Sequence, residues 1–275
     1  MTEPICAAVQ ATLEGRPLSR NEAQALVPSI PGKLREILGA AIVASGKASS
    51  FSCGIINAKS GRCSEDCCFC AQSRYHKTDT PVYALVSEET LYTHASRLAE
   101  AGVMRMGIVT SGAGPSEYDF DSICRAVRRI RESVDIQLCA SLGVLDANHA
   151  EMLKDAGVAC YHHNLETGRS FYPKVCTTHS YEARVETVKN AKSAGLRVCS
   201  GGLFALGERW EQRLELSETL QELDVDSIPV NFLMAVPGTR TQNVPNLSAT
   251  EALGLIASFR LMHPERDIVL CAGRG

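Results

Sequence analysis

Three predicted helices end in the dipeptide Ala-Gly, at 101–102, 156–157 and 194–195, and a short apolar segment follows each at once. Glycine just past the last helical turn takes the left-handed backbone that stops a helix and reverses the chain. Strands that alternate with helices in this way pair in parallel through right-handed crossovers. The strand candidates are 51–57, 105–110, 136–142, 158–165, 197–203, 228–235 and 268–272. Helices are predicted near 87–101, 120–132, 146–156, 180–194, 210–222 and 249–262. Seven such units without a linker favour a closed α/β barrel of the TIM type over an open doubly wound sheet. Seven of the eight strands of such a barrel are then present, which leaves two open edges and suggests an incomplete sequence. Residues 1–50 read as a separate N-terminal helical segment ahead of a barrel core at 51–275. Ser19 and Glu22 form a capping box there, and Leu34, Ile37, Leu38, Ala41 and Ile42 mark a helical stripe.

Twelve cysteines in 275 residues are more than a reduced protein keeps for packing alone. The Met-Thr-Glu-Pro start lacks the basic-then-apolar pattern of a signal peptide, and no apolar run reaches 18 residues. A cytoplasmic protein is therefore expected, in which surplus cysteines ligate metal rather than form disulfides. The net charge of −3 is spread evenly, with no basic stripe for nucleic acid and no charge block for a membrane surface.

The most specific pattern is Cys63-Ser-Glu-Asp-Cys67-Cys68-Phe69-Cys70, a C-x₃-C-x₂-C loop directly after the first predicted strand. Three thiolates on one short loop can hold three irons of a [4Fe–4S] cubane and leave the fourth open to a small chelating molecule. A zinc loop is the alternative, but structural zinc usually takes four protein ligands, and no second Cys-x₂-Cys pair is present. Cys68 is expected to pack rather than to bind iron.

The loop with its Phe69 matches the radical S-adenosylmethionine (SAM) pattern, and the rest of the chain resembles the biotin synthase family. The resemblance rests on INAKSGRCSEDCCFCAQS (56–73), CASLG (139–143), YHHNLET (161–167), TTHSYEAR (177–184), VCSGGLFALGE (198–208), IPVNFL (228–233), PGT (237–239) and CAGR (271–274), in that order. It implies a [4Fe–4S] cluster on Cys63, Cys67 and Cys70, with SAM bound at its open iron. It further implies Asn164 and Glu166 on the ribose hydroxyls, Arg184 on the methionyl carboxylate, and Thr110, Ser111 and Gly112 at the methionyl amine. Gly201, Gly202 and Leu203 would line the adenine, and Asn164 and Asn231 would hold the ureido ring of dethiobiotin. His162 and His163 are expected to be satisfied core histidines, no more than one of them facing the barrel.

The resemblance also implies an auxiliary [2Fe–2S] cluster on three cysteines and an arginine. Cys139, Cys199 and Arg274 match, but Gly107 stands where the third cysteine would be. Cys53 and Cys271 are available as replacements. With Cys139 and Cys199 they fall on the first, third, fifth and seventh strands, and inward residues of alternate barrel strands share a layer. A four-cysteine site, for a [2Fe–2S] cluster or a variant type, is the resulting expectation. Cys176 is a weaker candidate, and Cys6, Cys124 and Cys160 are expected to be structural. The implied reaction is sulfur insertion into dethiobiotin, served by an electron donor such as flavodoxin or ferredoxin, in a homodimer. Another radical enzyme of the same branch (methylornithine synthase or hydrogenase-cofactor maturase type) and a non-catalytic iron–sulfur carrier remain as alternatives.

Overall fold

A computed structural model describes residues 2–46 and 52–271. Three helices open the chain: α1 (Glu3–Leu13), α2 (Arg20–Leu26) and α3 (Ile30–Ala44). The capping box forms as expected, with Ser19 accepting from the Glu22 amide and the Glu22 carboxylate from the Ser19 amide. Ile5, Leu26 and Ile37 of these helices pack with Leu214, Ala257 and Leu261 from two later helices. The predicted stripe holds at Ile37 and Ala41, whereas Ile42 is 70% exposed. A break in helical geometry at Lys33 separates the first turn of α3 from the segment that carries the stripe.

The remainder alternates strand and helix: β1 (Cys53–Lys59), α4 (Glu88–Glu100), β2 (Arg105–Thr110), α5 (Glu117–Ser133), β3 (Gln137–Ser141), α6 (Ala147–Ala156), β4 (Cys160–His162) and α7 (Tyr181–Ser193). There follow β5 (Arg197–Cys199), β6 (Gly202–Phe204), α8 (Trp210–Glu222), β7 (Ser227–Phe232), α9 (Ala249–Met262) and β8 (Asp267–Leu270). Every strand pairing is parallel, in the order β1-β2-β3-β4-β5-β7, with β6 and β8 also on β7. The sheet curls into a partial barrel of the α/β class. Gly102, Gly157 and Gly195 all have positive φ, as helix stops require.

The fifth predicted strand is split into β5 and β6. The interruption at Ser200 and Gly201 lies against Pro229 of β7, which has no amide proton for the ladder. A Cβ on Gly201 would collide with the Pro229 carbonyl, so only glycine allows the two backbones to pass. Strand parity then sorts the side chains. Met106, Ile108, Leu138, Tyr161, Val198 and Ile228 are buried in the apolar core. The alternate residues Gly107, Val109, Cys139, Cys160, His162 and Cys199 line an interior cavity. No helix among the described residues is long and apolar enough to cross a membrane.

Candidate functional site

The cysteine loop is fixed by its own backbone. Cys63 N donates to Gln72 O and Arg74 N to Cys63 O, both at 2.9 Å, and Cys70 N donates to Cys67 O at 3.0 Å. The turn into it uses Gly61 at φ 78°, where a Cβ would strike Val82. Across the barrel mouth, Cys68 N donates to Val175 O at 2.8 Å. The Asp66 carboxylate accepts from Thr177 N at 2.8 Å and from Thr177 Oγ1 at 2.6 Å. Cys68 itself is buried with Phe171 and Val175 and so packs as expected.

Cys63, Cys67 and Cys70 border a cavity of about 170 Å³ at the C-terminal ends of the strands, shared with Thr110, Ser111, Gly112, His163 and Arg184. Two buried atoms in its wall, Thr110 Oγ1 and His163 Nε2, have no hydrogen-bond partner among the described residues. Buried polar atoms are normally satisfied, so this pair marks a place for a polar ligand. His163 is thus not the satisfied core histidine expected. His162 faces the deeper interior cavity, where burial lowers its pKa to about 4. Ser111 donates its hydroxyl proton to Gly61 O at 2.9 Å, which leaves Thr110 as the unengaged hydroxyl of the pair.

Arg184 is buried in the wall of the loop cavity. Its Nε donates to Tyr172 Oη at 2.6 Å and to His179 Nε2 at 3.1 Å, and its Nη1 to Asn164 O at 2.7 Å. Nη1 also lies 3.6 Å from Glu166 Oε1. Burial raises the Glu166 pKa, against the opposing pull of the Arg184 charge. Glu166 holds a positive φ of 71°, rare for a side chain of its size, with Leu203 N donating to its carbonyl at 2.9 Å. Asn164 Oδ1 accepts from Gly201 N, and Asn231 Nδ2 donates to Gly202 O, both at 3.1 Å.

Leu203 lines the interior cavity, but Gly201 and Gly202 line neither one. A Cβ on Gly202 would sit 2.5 Å from Leu216 and 2.8 Å from the Glu166 carbonyl. The space that these glycines leave on the Cβ side is taken by the protein's own backbone and core.

The interior cavity has a volume of about 440 Å³ and is walled by Cys53, Cys139, Cys160, Cys199 and Cys271, with Asn164, Glu166 and Asn231 at the end nearer the loop. All twelve cysteines of the chain are free thiols. Cys160, expected to be structural, belongs to this set. Parallel register places it directly beside Cys139, and both residues line the cavity. The alternate-strand layer rule missed it because β4 supplies a cysteine at the same height as β3. Burial pushes the Cys199 thiol up to about 12, so without a cation the chamber disfavours thiolates. Five thiols along one cavity wall offer donors to iron or another thiophilic metal, although among the described residues no three of their sulfurs lie within 4.8 Å of one another. A Cβ on Gly107 would meet nothing closer than 3.7 Å, so a thiol is missing there for want of the side chain and not of room. Arg274 lies outside the described residues. Cys124 is buried as expected, whereas Cys6 is exposed.

Comparison with known proteins agrees with this geometry. The family model for the radical SAM superfamily matches residues 58–220, and that of the Biotin and Thiamin Synthesis associated domain matches residues 229–275. The Biotin synthase of Nitratidesulfovibrio vulgaris (strain Miyazaki F) is 58% identical over 232 residues, covering 81% of this chain and 64% of that protein. The Biotin synthase of Geotalea uraniireducens is 53% identical over 225 residues, covering 82% of this chain and 68% of its own length. The chain thus spans a little under two thirds of the first of these relatives. Among solved structures, that of a methylornithine synthase superposes with a TM-score of 0.82 at 22% identity, over 95% of this chain and 78% of the other. An [FeFe]-hydrogenase maturase superposes with 0.83 at 16% identity, over 98% and 64%. At such identities the structural likeness speaks for the fold.

Proposed function

From the chain's membership in the biotin synthase family of radical SAM proteins, we propose that it inserts sulfur into dethiobiotin to form biotin, the last step of biotin synthesis. Membership brings with it a [4Fe–4S] cluster, SAM and an auxiliary iron–sulfur cluster. The observation that carries the reading is the stacking of two thiol sets in one barrel, three on the loop and five in the chamber below, with Asn164, Glu166 and Asn231 between them. A carrier protein has no use for a substrate-sized cavity between its thiols.

Cys63, Cys67 and Cys70 would hold the first cluster, and Cys139, Cys199, Cys160, Cys53 and Cys271 offer donors for the second. When bound, the first cluster supplies the electron that cleaves SAM to a hydrogen-abstracting radical, and the second supplies sulfur. The chain's part is positioning and exclusion. Arg184 presents a fixed cation to the methionyl carboxylate, held by Tyr172 and the Asn164 carbonyl. The free Thr110 hydroxyl and His163 Nε2 offer polar contacts at the same cavity. Asn164 and Glu166 combine donor and acceptor groups that suit vicinal hydroxyls, and Asn231 suits a urea. Leu203 and Phe69 give the interior apolar surface that keeps water from reactive species. An electron donor such as flavodoxin or ferredoxin, a homodimer and a cytoplasmic location complete the proposal, with residues 1–50 as a helical segment ahead of the barrel.

Anaerobic reconstitution with iron and sulfide, then SAM, dithionite and dethiobiotin, tests it. The expected products are 5′-deoxyadenosine and biotin. Absence of 5′-deoxyadenosine would favour the carrier reading, and 5′-deoxyadenosine without biotin would favour a different radical enzyme.

A further inference from the structure

Cys176 lies outside both thiol sets. It sits between β4 and α7, yet its thiol meets the cysteine loop and not the interior chamber. Its Sγ, that of Cys67 and an imidazole nitrogen of His179 all lie within 4.8 Å of one another. Cys176 Sγ is 3.2 Å from His179 Nδ1, and Glu65 Oε2 is 2.6 Å from that same nitrogen. Nothing in the proposed reaction uses Cys176 or His179 as ligands.

We infer that the cluster-free chain binds one thiophilic divalent cation, Zn²⁺ or Fe²⁺, on Cys67, Cys176 and His179 Nδ1, with the Glu65 carboxylate as fourth donor. Metal–ligand bonds of about 2.0–2.3 Å place tetrahedral donors roughly 3.5 Å apart. The Cys176–His179 and Glu65–His179 pairs, at 3.2 and 2.6 Å, would open slightly and Cys67 would draw in from within 4.8 Å, shifts that side-chain rotation can supply. The donors are carried on two segments already tied together by the Cys68–Val175 backbone bond and by Asp66 on Thr177, so the site is built and not left to chance encounter. Two thiolates and a carboxylate against a dication leave one negative charge, which the adjacent Arg184 balances, its Nη2 lying 4.0 Å from Cys67 Sγ. The imidazole proton moves from Nδ1 to Nε2 on binding, so the Arg184–His179 hydrogen bond is lost while Tyr172 and the Asn164 carbonyl still hold the guanidinium. Because Cys67 is common to this site and the loop triad, occupancy by zinc and by the cluster exclude each other.

The test is titration of the 275-residue chain, stripped of iron by chelation under argon, with Co²⁺. One equivalent should give the intense visible d–d bands of a tetrahedral ion together with thiolate charge-transfer absorption. Cys176→Ser and His179→Ala should weaken binding at least tenfold, while Cys63→Ser and Cys70→Ser leave the spectrum unchanged. Far-UV circular dichroism and the thermal midpoint report whether each variant is folded, and Cys176→Ala repeats the measurement with a side chain that cannot ligate. Bands lost in Cys63→Ser but kept in Cys176→Ser would overturn the inference and put the ion on the loop triad. The absence of tetrahedral bands in the unaltered chain would overturn it equally.

Discussion

Arg184 shows how much can depend on one side chain. Its guanidinium serves Tyr172, His179 and the Asn164 carbonyl from a single planar fork, which an ammonium cannot imitate. Arg184→Lys should keep the charge yet lose most of this geometry. Hydrogen bonds to charged groups contribute about 1.5–3 kcal/mol each, so SAM affinity measured by calorimetry should fall roughly tenfold to a hundredfold. Cys160 makes the complementary case for the chamber. If it ligates the auxiliary cluster beside Cys139, Cys160→Ala should lower the iron and sulfide retained after anaerobic reconstitution. Mössbauer spectra should then show the auxiliary component reduced and the loop cluster unchanged. Equal spectra for the two proteins would remove Cys160 from the ligand set.

Loops and caps are where local sequence rules worked best, because their chemistry is local. The Ala-Gly helix stops, the Ser19–Glu22 capping box and the three-cysteine loop are each written in fewer than ten consecutive residues. Glu22 carries a pH consequence. The hydrogen bond from Arg16, then that from the Ser19 amide, lowers its pKa from 4.5 to about 2. A carboxylate depressed in the fold adds stability that is complete above its unfolded pKa and is lost as pH falls through the folded one. Glu22→Gln should therefore lower the thermal midpoint at pH 7, and the gap to the unaltered chain should close between pH 4.5 and about 2. Ser19→Ala should cost about 1 kcal/mol, the usual worth of an N-cap. Gly143 is a stricter case: it sits at φ 93°, and a Cβ there would collide with the Ala113 carbonyl beside the loop cavity. Gly143→Ala should destabilise the fold by about 3 kcal/mol, a drop of roughly 6–10 °C in thermal unfolding.

The alternation of elements was legible along the chain, and so was the barrel-like curl, because parallel pairing and crossover handedness leave few topologies. What sequence could not supply was side-chain direction. Cys160 differs from its neighbour Tyr161 only in which face of β4 it occupies, and that depends on the register with β3. Cys176 is only a weaker candidate for the auxiliary site from strand order, which says nothing of how a loop folds back over the barrel mouth. Nor does sequence show that Gly201 and Gly202 also permit a close approach between β7, α8 and the chain's own turn at Glu166. The interior chamber itself has one further property. Cys53 belongs to β1, Cys271 follows β8, and among the described residues those two strands do not pair with each other. A cluster ligated from both sides would act as a clasp across that gap, bearing load as well as doing chemistry. Loading it should slow amide hydrogen exchange along β1 and β8 together, and stripping the iron should release both strands in the same step.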